Sequence, residues 1–286
     1  MGERTTLDLK RQIKQFWDDT PCGVKTTGVE PGSRAFFEQV EAFRYREEFH
    51  IPEVVDFASA AGKRVLEIGG GVGTDGRQFA RHGAHYVDAD LSTGSLALAK
   101  RGFELFGLRG SFLNADAENL PFRDAAFDIV YSHGVLHHTP DTARTIVEAY
   151  RVLKPGGRAI VMLYARESAA FRIGVPLIGR LRLHRERRRM GQVPFNRMVG
   201  LPESHRGWIP RDVVVNNSTD GVGNPHSKFL SAAEIRQMFS RFRSVTLHKR
   251  YFHRNKLPLI GPYVPRFLLS FLGRTVGGYW YVKADK

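Results

Sequence analysis

Two segments near the start of the chain have the apolar spacing of amphipathic helices. Residues 7–17 carry apolar side chains at intervals of three or four positions, and residues 36–49 repeat this spacing. Such a pattern is typical of helices that pack one face on a core. Both segments precede the first strand, so we predict an N-terminal helical cap over residues 1–60.

From residue 64 the pattern changes to short apolar strands that alternate with helical stretches. The first strand, residues 64–68, runs into glycines and then a helix over residues 74–82. The same alternation predicts strands at 85–89, 110–114, 127–132 and 158–164, and helices at 92–106 and 142–153. Strands that are apolar throughout are typical of a parallel sheet with helices on both faces. We therefore predict a doubly wound, Rossmann-like α/β fold, which binds ligands at the carboxyl ends of its strands.

The alternation stops after residue 164 and resumes near residue 231. The interval, residues 165–230, contains an arginine run between 180 and 189 and a polar loop from 215 to 228. Segments of this length are typical of lids or substrate-binding elements. Beyond it we predict a helix at 231–239, begun by a capping box of Ser231 and Glu234, and strands at 245–252 and 278–283. Residues 61–286 thus form one predicted domain, with 165–230 inserted after the fifth strand as part of the substrate cover.

A glycine-rich turn follows the first strand, from Glu67 to Gly76. Glycines let the backbone turn tightly and approach a ligand, while the N–H groups of the helix start point toward it. Gly71, Gly73 and Gly76 satisfy the G-x-G-x-x-G pattern of dinucleotide sites. Glu67 with Gly69, Gly71 and Gly73 satisfies the E-x-G-x-G-x-G turn of S-adenosylmethionine (SAM) methyltransferases. Glu67 favours the second pattern, because a carboxylate at the end of a buried strand needs a cation such as an amino-acid ammonium.

Carboxylates also follow the second and third strands. Asp90 lies 21 residues after the first glycine of the turn, close to the offset at which a carboxylate takes the ribose hydroxyls of an adenosine cofactor. Asp88 is the competing candidate for the ribose hydroxyls. Leu91 directly follows Asp90 and is also expected to contact the cofactor. Asp116 is a candidate for the exocyclic amine of adenine, with the backbone N–H of Ala117 meeting a ring nitrogen.

Three histidines cluster where the fourth strand ends, at His133, His137 and His138. They lie on a turn and lack the i, i+4 geometry of a helical ligand pair, so we predict no metal site. Instead we expect Ser132 and His133 along the cofactor. One of His137 and His138 should face the substrate, and the other should pack or cap.

The net charge and the cysteine content indicate which partners and which cellular compartment to expect. The net charge of +14 attracts phosphates, anionic lipids or acidic substrates, or reflects arginine used as a general surface residue. One cysteine, Cys22, and a polar N-terminus without the apolar run of a secretory signal lead us to expect a cytoplasmic protein. Prolines and glycines interrupt the apolar stretch at 257–272, so no membrane-spanning helix is expected there.

Together, segments 65–73, 87–92, 116–122, 127–138 and 151–157 resemble those of class I SAM-dependent methyltransferases. The resemblance is to the branch with ubiquinone and menaquinone biosynthesis enzymes and many small-molecule methyltransferases, and it covers roughly residues 60–165. It implies a seven-stranded sheet with a reversed last hairpin and SAM as methyl donor. The glycine turn would surround the methionine part of SAM, Asp90 would bind the ribose, and Asp116 would bind the adenine. The complete set of expected cofactor contacts is Glu67, Gly69, Gly70, Gly71, Gly73, Asp90, Leu91, Asp116, Ala117, Ser132 and His133.

We expect the acceptor to be a small or lipid-linked molecule, methylated at oxygen, nitrogen or carbon. Three side chains are candidates to take a proton from it: His138 after the fourth strand, and Asp220 and His226 in the polar loop. Segment 264–272, with Arg254, Lys256 and Arg274 nearby, is either a peripheral contact with an anionic membrane or a helix packed on the sheet.

Two other function classes stay open from the sequence. An RNA methyltransferase would use the arginine run and the basic surface. Against it, residues 132–135 occupy the place where amino-directed nucleic-acid enzymes carry an Asn/Asp-Pro-Pro-aromatic motif. A more remote alternative is an NAD-dependent oxidoreductase. Its only support is that Gly71, Gly73 and Gly76 match the dinucleotide pattern.

Overall fold

The computed structural model of the chain describes residues 5–252 and 263–286. Its strands are β1 (Arg64–Ile68), β2 (His85–Asp90), β3 (Ser111–Asn114), β4 (Phe127–His133), β5 (Leu153–Tyr164), β6 (Ser244–Arg250) and β7 (Tyr279–Asp285). They form one seven-stranded sheet in the order β3-β2-β1-β4-β5-β7-β6. Strands β1 to β5 are parallel, and β7 is antiparallel to both β5 and β6. The predicted sheet with a reversed last hairpin is confirmed.

Helices cover both faces of this sheet, as predicted. Before the sheet come α1 (Thr6–Asp19), α2 (Arg34–Glu47) and α3 (Ile51–Val55); between strands lie α4 (Thr74–Arg81), α5 (Thr93–Leu105) and α6 (Thr142–Val152). Successive residues of β1 point to opposite faces. Val65 joins a core cluster with Phe79 of α4 and Phe103 of α5, whereas Leu66 joins one with Ile146 of α6. Burying such side chains contributes roughly 1.5–3 kcal/mol each.

The insertion after β5 is largely helical, which the sequence did not predict. It contains a π-helical segment, Ala170–Gly179, followed by α7 (Arg180–Met190), α8 (Gln192–Met198) and α9 (Arg211–Asn216). Leu183, Phe195 and Val214 from these helices form a third core cluster with Met162 and Tyr281 of the sheet. The insertion is therefore packed on the sheet rather than extended as a loop.

The chain then returns to regular structure with α10 (Ala232–Met238), and α11 (Arg266–Val276) lies between β6 and β7. The capping box of Ser231 and Glu234 is present at the start of α10. Helix α11 contacts β6 and buries Leu269, while Phe267 and Phe271 remain exposed. Arg254 and Lys256, the basic residues expected to assist this segment, lie outside the described residues. Within the described ranges, no helix has the length and apolar content needed to cross a bilayer.

The N-terminal helices are tied to the carboxyl edge of the sheet. The side chain of Asp18, in α1, accepts hydrogen bonds from the Ser92 hydroxyl (2.8 Å) and the Gly94 N–H (3.1 Å) at the start of α5. Lys10, also in α1, donates to Asp116 at 2.5 Å. Helix α1 therefore lies over the ends of β2 and β3. The division of the chain at residue 60 stays a prediction, since Ile51 of α3 belongs to the same core cluster as β1.

Candidate functional site

A cavity of about 730 Å³ opens along the carboxyl edge of the sheet. Its volume lies in the upper part of the ~300–1,000 Å³ range of ligand pockets. Because β1 to β6 end at this edge and β7 begins there, each strand contributes residues to the cavity wall. In spatial order these are Asp116 after β3, Asp90 of β2, Gly69 after β1, His133 and His138 at β4, Tyr164 of β5, Tyr279 of β7 and Tyr251 after β6.

The glycine turn presents bare backbone to this cavity. Gly69 and Gly71 line it and have φ angles of +76° and +57°, which favour glycine. A Cβ at Gly69 would lie 2.4 Å from a Val135 methyl, so no larger residue fits there. Gly70 and Gly73 support the turn without lining the cavity: the Gly70 N–H donates to Asp88, and Gly73 precedes α4.

Two carboxylates, Asp90 and Asp116, line the cavity beside the turn. Asp90 accepts hydrogen bonds from the N–H groups of Ser92 at 2.8 Å and Gly71 at 3.2 Å. Burial raises the pKa of Asp90 to about 6, although these donors favour its charged form. It is therefore mainly a carboxylate at neutral pH. The competing Asp88 is buried beneath Gly70, and burial raises its pKa well above the usual range.

Asp116 is covered by helix α1. It accepts from Lys10 at 2.5 Å and from the Glu118 N–H at 2.9 Å, and Lys10 also pairs with Glu118 at 2.6 Å. Leu91 and Ala117 line the same end of the cavity. The structure thus brings together the predicted ribose and adenine residues.

Glu67 and Ser132 do not line the cavity, contrary to the sequence expectation. Glu67 accepts a hydrogen bond from the Tyr86 hydroxyl at 2.6 Å and is buried. Its position in β1 directs it to the face covered by α4 and α5, the same face as Val65. Ser132 donates to the carbonyl of Ile68 at 2.9 Å and joins β4 to the end of β1. Both residues therefore support the turn in this structure.

His138 lines the cavity, although only 3% of its side chain is exposed. Its Nδ1 lies 2.7 Å from the carbonyl oxygen of His226, which fixes the proton on Nδ1 because a carbonyl can only accept. In the neutral ring Nε2 carries the lone pair, and this atom is buried with no hydrogen-bond partner among the described residues. It lies 3.6 Å from a carboxylate oxygen of Asp220.

Asp220 also lines the cavity and is held in place from two sides. One oxygen accepts from the Tyr164 hydroxyl at 2.8 Å, and the other from the Thr219 hydroxyl at 2.5 Å. Burial raises the pKa of Tyr164 well above its usual value, so the phenol stays a donor. His138 and Asp220, two of the three predicted base candidates, thus adjoin each other.

The remaining histidines have other positions. The ring of His226 is not among the groups that line the cavity, so its backbone carbonyl, rather than its side chain, serves the site. His137 is fully buried with its ring centroid 3.8 Å from that of Tyr164, and burial lowers its pKa well below the usual range. The described ranges hold no cluster of His, Cys, Asp and Glu side chains suited to a metal ion.

The central part of the chain is similar to known methyltransferases. Residues 66–161 match a family model described as a methyltransferase domain. The chain is 41% identical over 105 residues to the demethylmenaquinone methyltransferase of Clavibacter sepedonicus, covering 36% of this chain and 42% of that protein. It is also 41% identical over 99 residues to phthiotriol/phenolphthiotriol dimycocerosates methyltransferase 1 of Mycobacterium ulcerans, covering 34% of this chain and 36% of that protein. The match identifies residues 66–161 as similar to a methyltransferase domain, in agreement with the resemblance to class I SAM-dependent methyltransferases.

The fold agrees with this assignment over most of the chain. A SAM-dependent methyltransferase structure from Mesorhizobium loti aligns with a TM-score of 0.51 and 20% identity, covering 83% of this chain and 97% of that one. At this identity the likeness concerns the fold alone. The chain matches less than half the length of both curated relatives.

SAM is the cofactor that the methyltransferase family and fold imply, and the residues present fit it. Bare backbone at Gly69 and Gly71 allows close approach of the methionine part, and His133 lines the cavity beside them. Asp90 would hold the ribose hydroxyls and Asp116 the adenine amine, with Lys10 as a cover over that end. These residue assignments stay predictions.

Several residues of the candidate site had no signal in the sequence. Arg44 of α2 lines the cavity and forms a two-bond ion pair with Asp75 of α4, at 2.8 and 2.5 Å. Tyr45 and Tyr131 also donate to Asp75, at 2.8 and 2.7 Å. Burial alone would raise the pKa of Asp75, but Arg44 holds it below its usual range. The ion pair of Arg44 and Asp75 therefore supports the cavity wall beside the glycine turn.

An aromatic wall forms the part of the cavity beyond β4. The rings of Tyr164 and Tyr279 stack with centroids 5.7 Å apart, and Phe229 lies 5.2 Å from Tyr164. Trp17 of α1 contacts His138 edge-on at 5.4 Å. All four aromatic side chains line the cavity. A SAM-sized ligand at the glycine turn would thus adjoin an aromatic chamber that contains His138 and Asp220.

Proposed function

We propose that the chain transfers the methyl group of SAM to a small-molecule or lipid-linked acceptor bound in the aromatic chamber. The observation that carries the proposal is the continuity of one cavity, from Asp116 and Asp90 to His138 and Asp220. SAM supplies a methyl group activated by a sulfonium charge, so the protein's main task is alignment and exclusion of water.

The chamber favours an acceptor with a flat apolar ring and a polar group on it. Aromatic walls bind rings by offset or edge contacts, and His138 and Asp220 line the same cavity beside them. Two curated relatives bear names of enzymes that act on a menaquinone precursor and on phthiotriol or phenolphthiotriol lipids. Those names support, for this chain, an acceptor of quinol, phenol or alcohol type that carries a lipid tail.

His138 would act as the general base. Its Nε2 lone pair would take the acceptor proton as the acceptor displaces the methyl group from the sulfur of SAM, which would leave as the neutral thioether. The resulting imidazolium is stabilised by Asp220 at 3.6 Å. Tyr164 and Thr219 hold Asp220 in position, and the His226 carbonyl fixes the ring. Loss of the base should therefore lower turnover without changing cofactor affinity.

We also propose that the protein works in the cytoplasm, at the periphery of a membrane. A single cysteine is consistent with a reducing compartment. The +14 net charge would favour anionic surfaces.

The alternative acceptor is RNA, because Arg182 of the arginine run lines the cavity.

The test uses SAM with a deuterated methyl group and mass spectrometry of the products. The acceptors are a prenylated hydroxyquinol, a phenolic lipid, a water-soluble primary amine and a structured RNA. We expect transfer to a ring-hydroxyl acceptor. Transfer to RNA alone, or to the amine alone, would contradict the proposed acceptor class; an absence of SAM binding in calorimetry would contradict the function itself.

Variants then test the base. His138→Ala should lower turnover by about 10² to 10⁴-fold and Asp220→Asn by about 10²-fold or more, with SAM affinity within a few fold. The matched control is Asp212→Asn, an exposed acid of the same insertion, which should keep full turnover. Equal turnover of His138→Ala and the unmodified chain would leave catalysis by alignment alone.

A further inference from the structure

Four large aliphatic side chains stand exposed on consecutive turns of the insertion. These are Ile173, Leu177, Ile178 and Leu181, each between 60% and 62% exposed. They belong to the π-helical segment and to α7, which follows it directly. Buried residues of the same segments, Val175 and Leu183, face the insertion core. We name the four exposed residues the aliphatic ridge; single exposed apolar residues are ordinary, but a contiguous set marks an interaction surface.

Positive charge surrounds the aliphatic ridge. Residues 170–190 contain seven arginines and one acidic residue, Glu186, which pairs with Arg189 at 2.9 Å. Arg182, Arg185 and Arg188 are exposed, and no ion pair joins them to another residue in the described part of the chain. Their charges are therefore available to an external anion.

The aliphatic ridge forms part of the rim of the acceptor cavity. Ile173, Ile178 and Arg182 line the cavity and are also exposed to solvent. Val276 of α11 lines the same cavity and is 36% exposed. A molecule that covers this rim would thus contact both the outer surface and the route to His138.

We propose that the aliphatic ridge and its arginines dock on an anionic lipid bilayer, so that a lipid-linked acceptor enters the cavity from the membrane. The docking surface stands on exposure and charge alone, while acceptor entry rests on the proposed function. Aliphatic side chains beside arginines are the composition of segments that lie in the interfacial region of anionic membranes.

Two other occupants fit these observations less well. RNA-binding surfaces use bases stacked on aromatic rings, whereas the ridge is aliphatic. A second copy of the chain would bring two strongly basic segments together, and like charges across an interface are unfavourable.

The experiment measures flotation of the full chain with vesicles. One set contains phosphatidylcholine only, and the other contains about 30% phosphatidylglycerol to supply surface charge. We expect binding to the anionic vesicles that weakens with salt. Leu177→Glu/Leu181→Glu changes two ridge residues outside the cavity lining, and Arg185→Glu/Arg188→Glu reverses two free charges. Each pair should weaken binding by about 10- to 100-fold. The arginine pair loses an attraction of about 1 kcal/mol per basic residue, and the leucine pair loses apolar area buried in the bilayer and adds two negative charges.

The matched control is Arg101→Glu/Arg109→Glu, an equal change of charge at exposed positions outside the cavity lining. It should keep vesicle binding within about threefold if the arginine position, rather than net charge, matters. Calorimetric SAM affinity equal to that of the unmodified chain shows that each variant is folded.

Several results would overturn the docking proposal. They are equal binding to both vesicle types, equal losses in the control and the ridge variants, or binding of structured RNA at physiological salt with no vesicle binding. Self-association abolished by Leu177→Glu/Leu181→Glu, without vesicle binding, would assign the ridge to a second copy. Methylation of a detergent-solubilised acceptor by a ridge variant separates the two proposals, because this activity persists if docking alone is wrong. Vesicle binding with no methylation of any acceptor would leave docking intact and contradict the proposed function.

Discussion

Glu67→Gln tests whether the carboxyl at the end of β1 binds the cofactor or supports the turn above it. Glu67 is 3% exposed, accepts from Tyr86 at 2.6 Å and does not line the cavity. Burial, together with the charges of Asp75 and Asp90, raises its pKa to about 8. A glutamine carbonyl can accept the same Tyr86 hydrogen bond without ionising. We therefore expect the variant to fold and to bind SAM within about tenfold of the unmodified chain, a difference of no more than about 1.4 kcal/mol.

The raised pKa also makes stability depend on pH with a defined sign. The folded chain holds the Glu67 proton more tightly than the unfolded chain, whose glutamates titrate near 4.5. This contribution to stability is complete below pH 4.5 and is lost as the pH rises through 8. Each pH unit within this window changes the free energy by about 1.4 kcal/mol, so the loss between pH 5 and pH 8 is on the order of 3 kcal/mol.

Urea denaturation at pH 5, 6, 7 and 8 measures this effect. Relative to the unmodified chain, Glu67→Gln should gain on the order of 3 kcal/mol of unfolding free energy across the range. Glu104→Gln, at an exposed glutamate of α5, is the matched control and should show no such trend.

One pattern of results would refute this interpretation. If Glu67→Gln lost SAM affinity by about 10²-fold or more at pH 7, while its stability followed the same pH profile as the unmodified chain, the carboxylate would be charged and in contact with the ligand. The original expectation from the glycine motif would then hold.

Two further predictions concern the cofactor wall and its support. Asp90→Asn should weaken SAM binding by about 1–3 kcal/mol, because the side-chain NH2 group places donors where the ribose hydroxyls also donate. In the unmodified chain, SAM affinity should fall as the pH drops below about 6, where Asp90 gains its proton. Calorimetry between pH 5 and 7.5 measures both, and a flat profile would remove Asp90 from the ribose site. Arg44→Met should lower the free energy of unfolding by about 3–5 kcal/mol, because the Asp75 charge stays buried with only hydroxyl donors. Adding Asp75→Leu should restore much of the loss in urea denaturation, and additive losses would contradict this coupling.

The sheet and the cofactor end of the site follow from local signals in the sequence. Apolar strands, glycine turns and helix caps each act within about ten residues, so their positions match the structure closely. Strand β5 begins at Leu153 rather than at residue 158, because Leu153 already pairs with Phe127 of β4. Asp90 and Asp116 came together because parallel strands end at one edge of the sheet.

The helices of the insertion escaped prediction for a physical reason. In the π-helical segment and the first turn of α7, the periodicity is obscured because Ile173, Leu177, Ile178 and Leu181 make the exposed side apolar as well as the buried side. A helix that is apolar on both sides has no period to detect. Pro176 within the π-helical segment removes a second signal, since proline normally ends a helix.

The Arg44–Asp75 pair and the orientation of Glu67 required knowledge of packing. Arg44 and Asp75 lie on different helices, and no spacing rule links them. The glycine motif identified Glu67 correctly as a buried acid, but the face that it points to follows from strand parity in the folded sheet. Its partner, Tyr86, comes from β2, the strand beside β1.

The two halves of the site differ in where the chain encodes them. Gly69, Asp90 and Asp116 fall within residues 66–161, the part that matches the methyltransferase family. Trp17, Tyr164, Asp220 and Tyr279 fall outside it, on the N-terminal helix, the end of β5, the insertion and the last strand.

His138 and Asp220, the proposed catalytic pair, lie on opposite sides of this boundary. His138 lies inside the family match, but its orientation depends on the carbonyl of His226, and the Lys228 N–H bonds the carbonyl of His137 at 2.9 Å. Docking of the insertion therefore completes the surroundings of the proposed base, because it brings Asp220 and the His226 carbonyl to the His138 ring. Similarity within residues 66–161 therefore supports SAM as the cofactor but does not identify the acceptor. The walls of the acceptor site would come from segments that the family model does not cover.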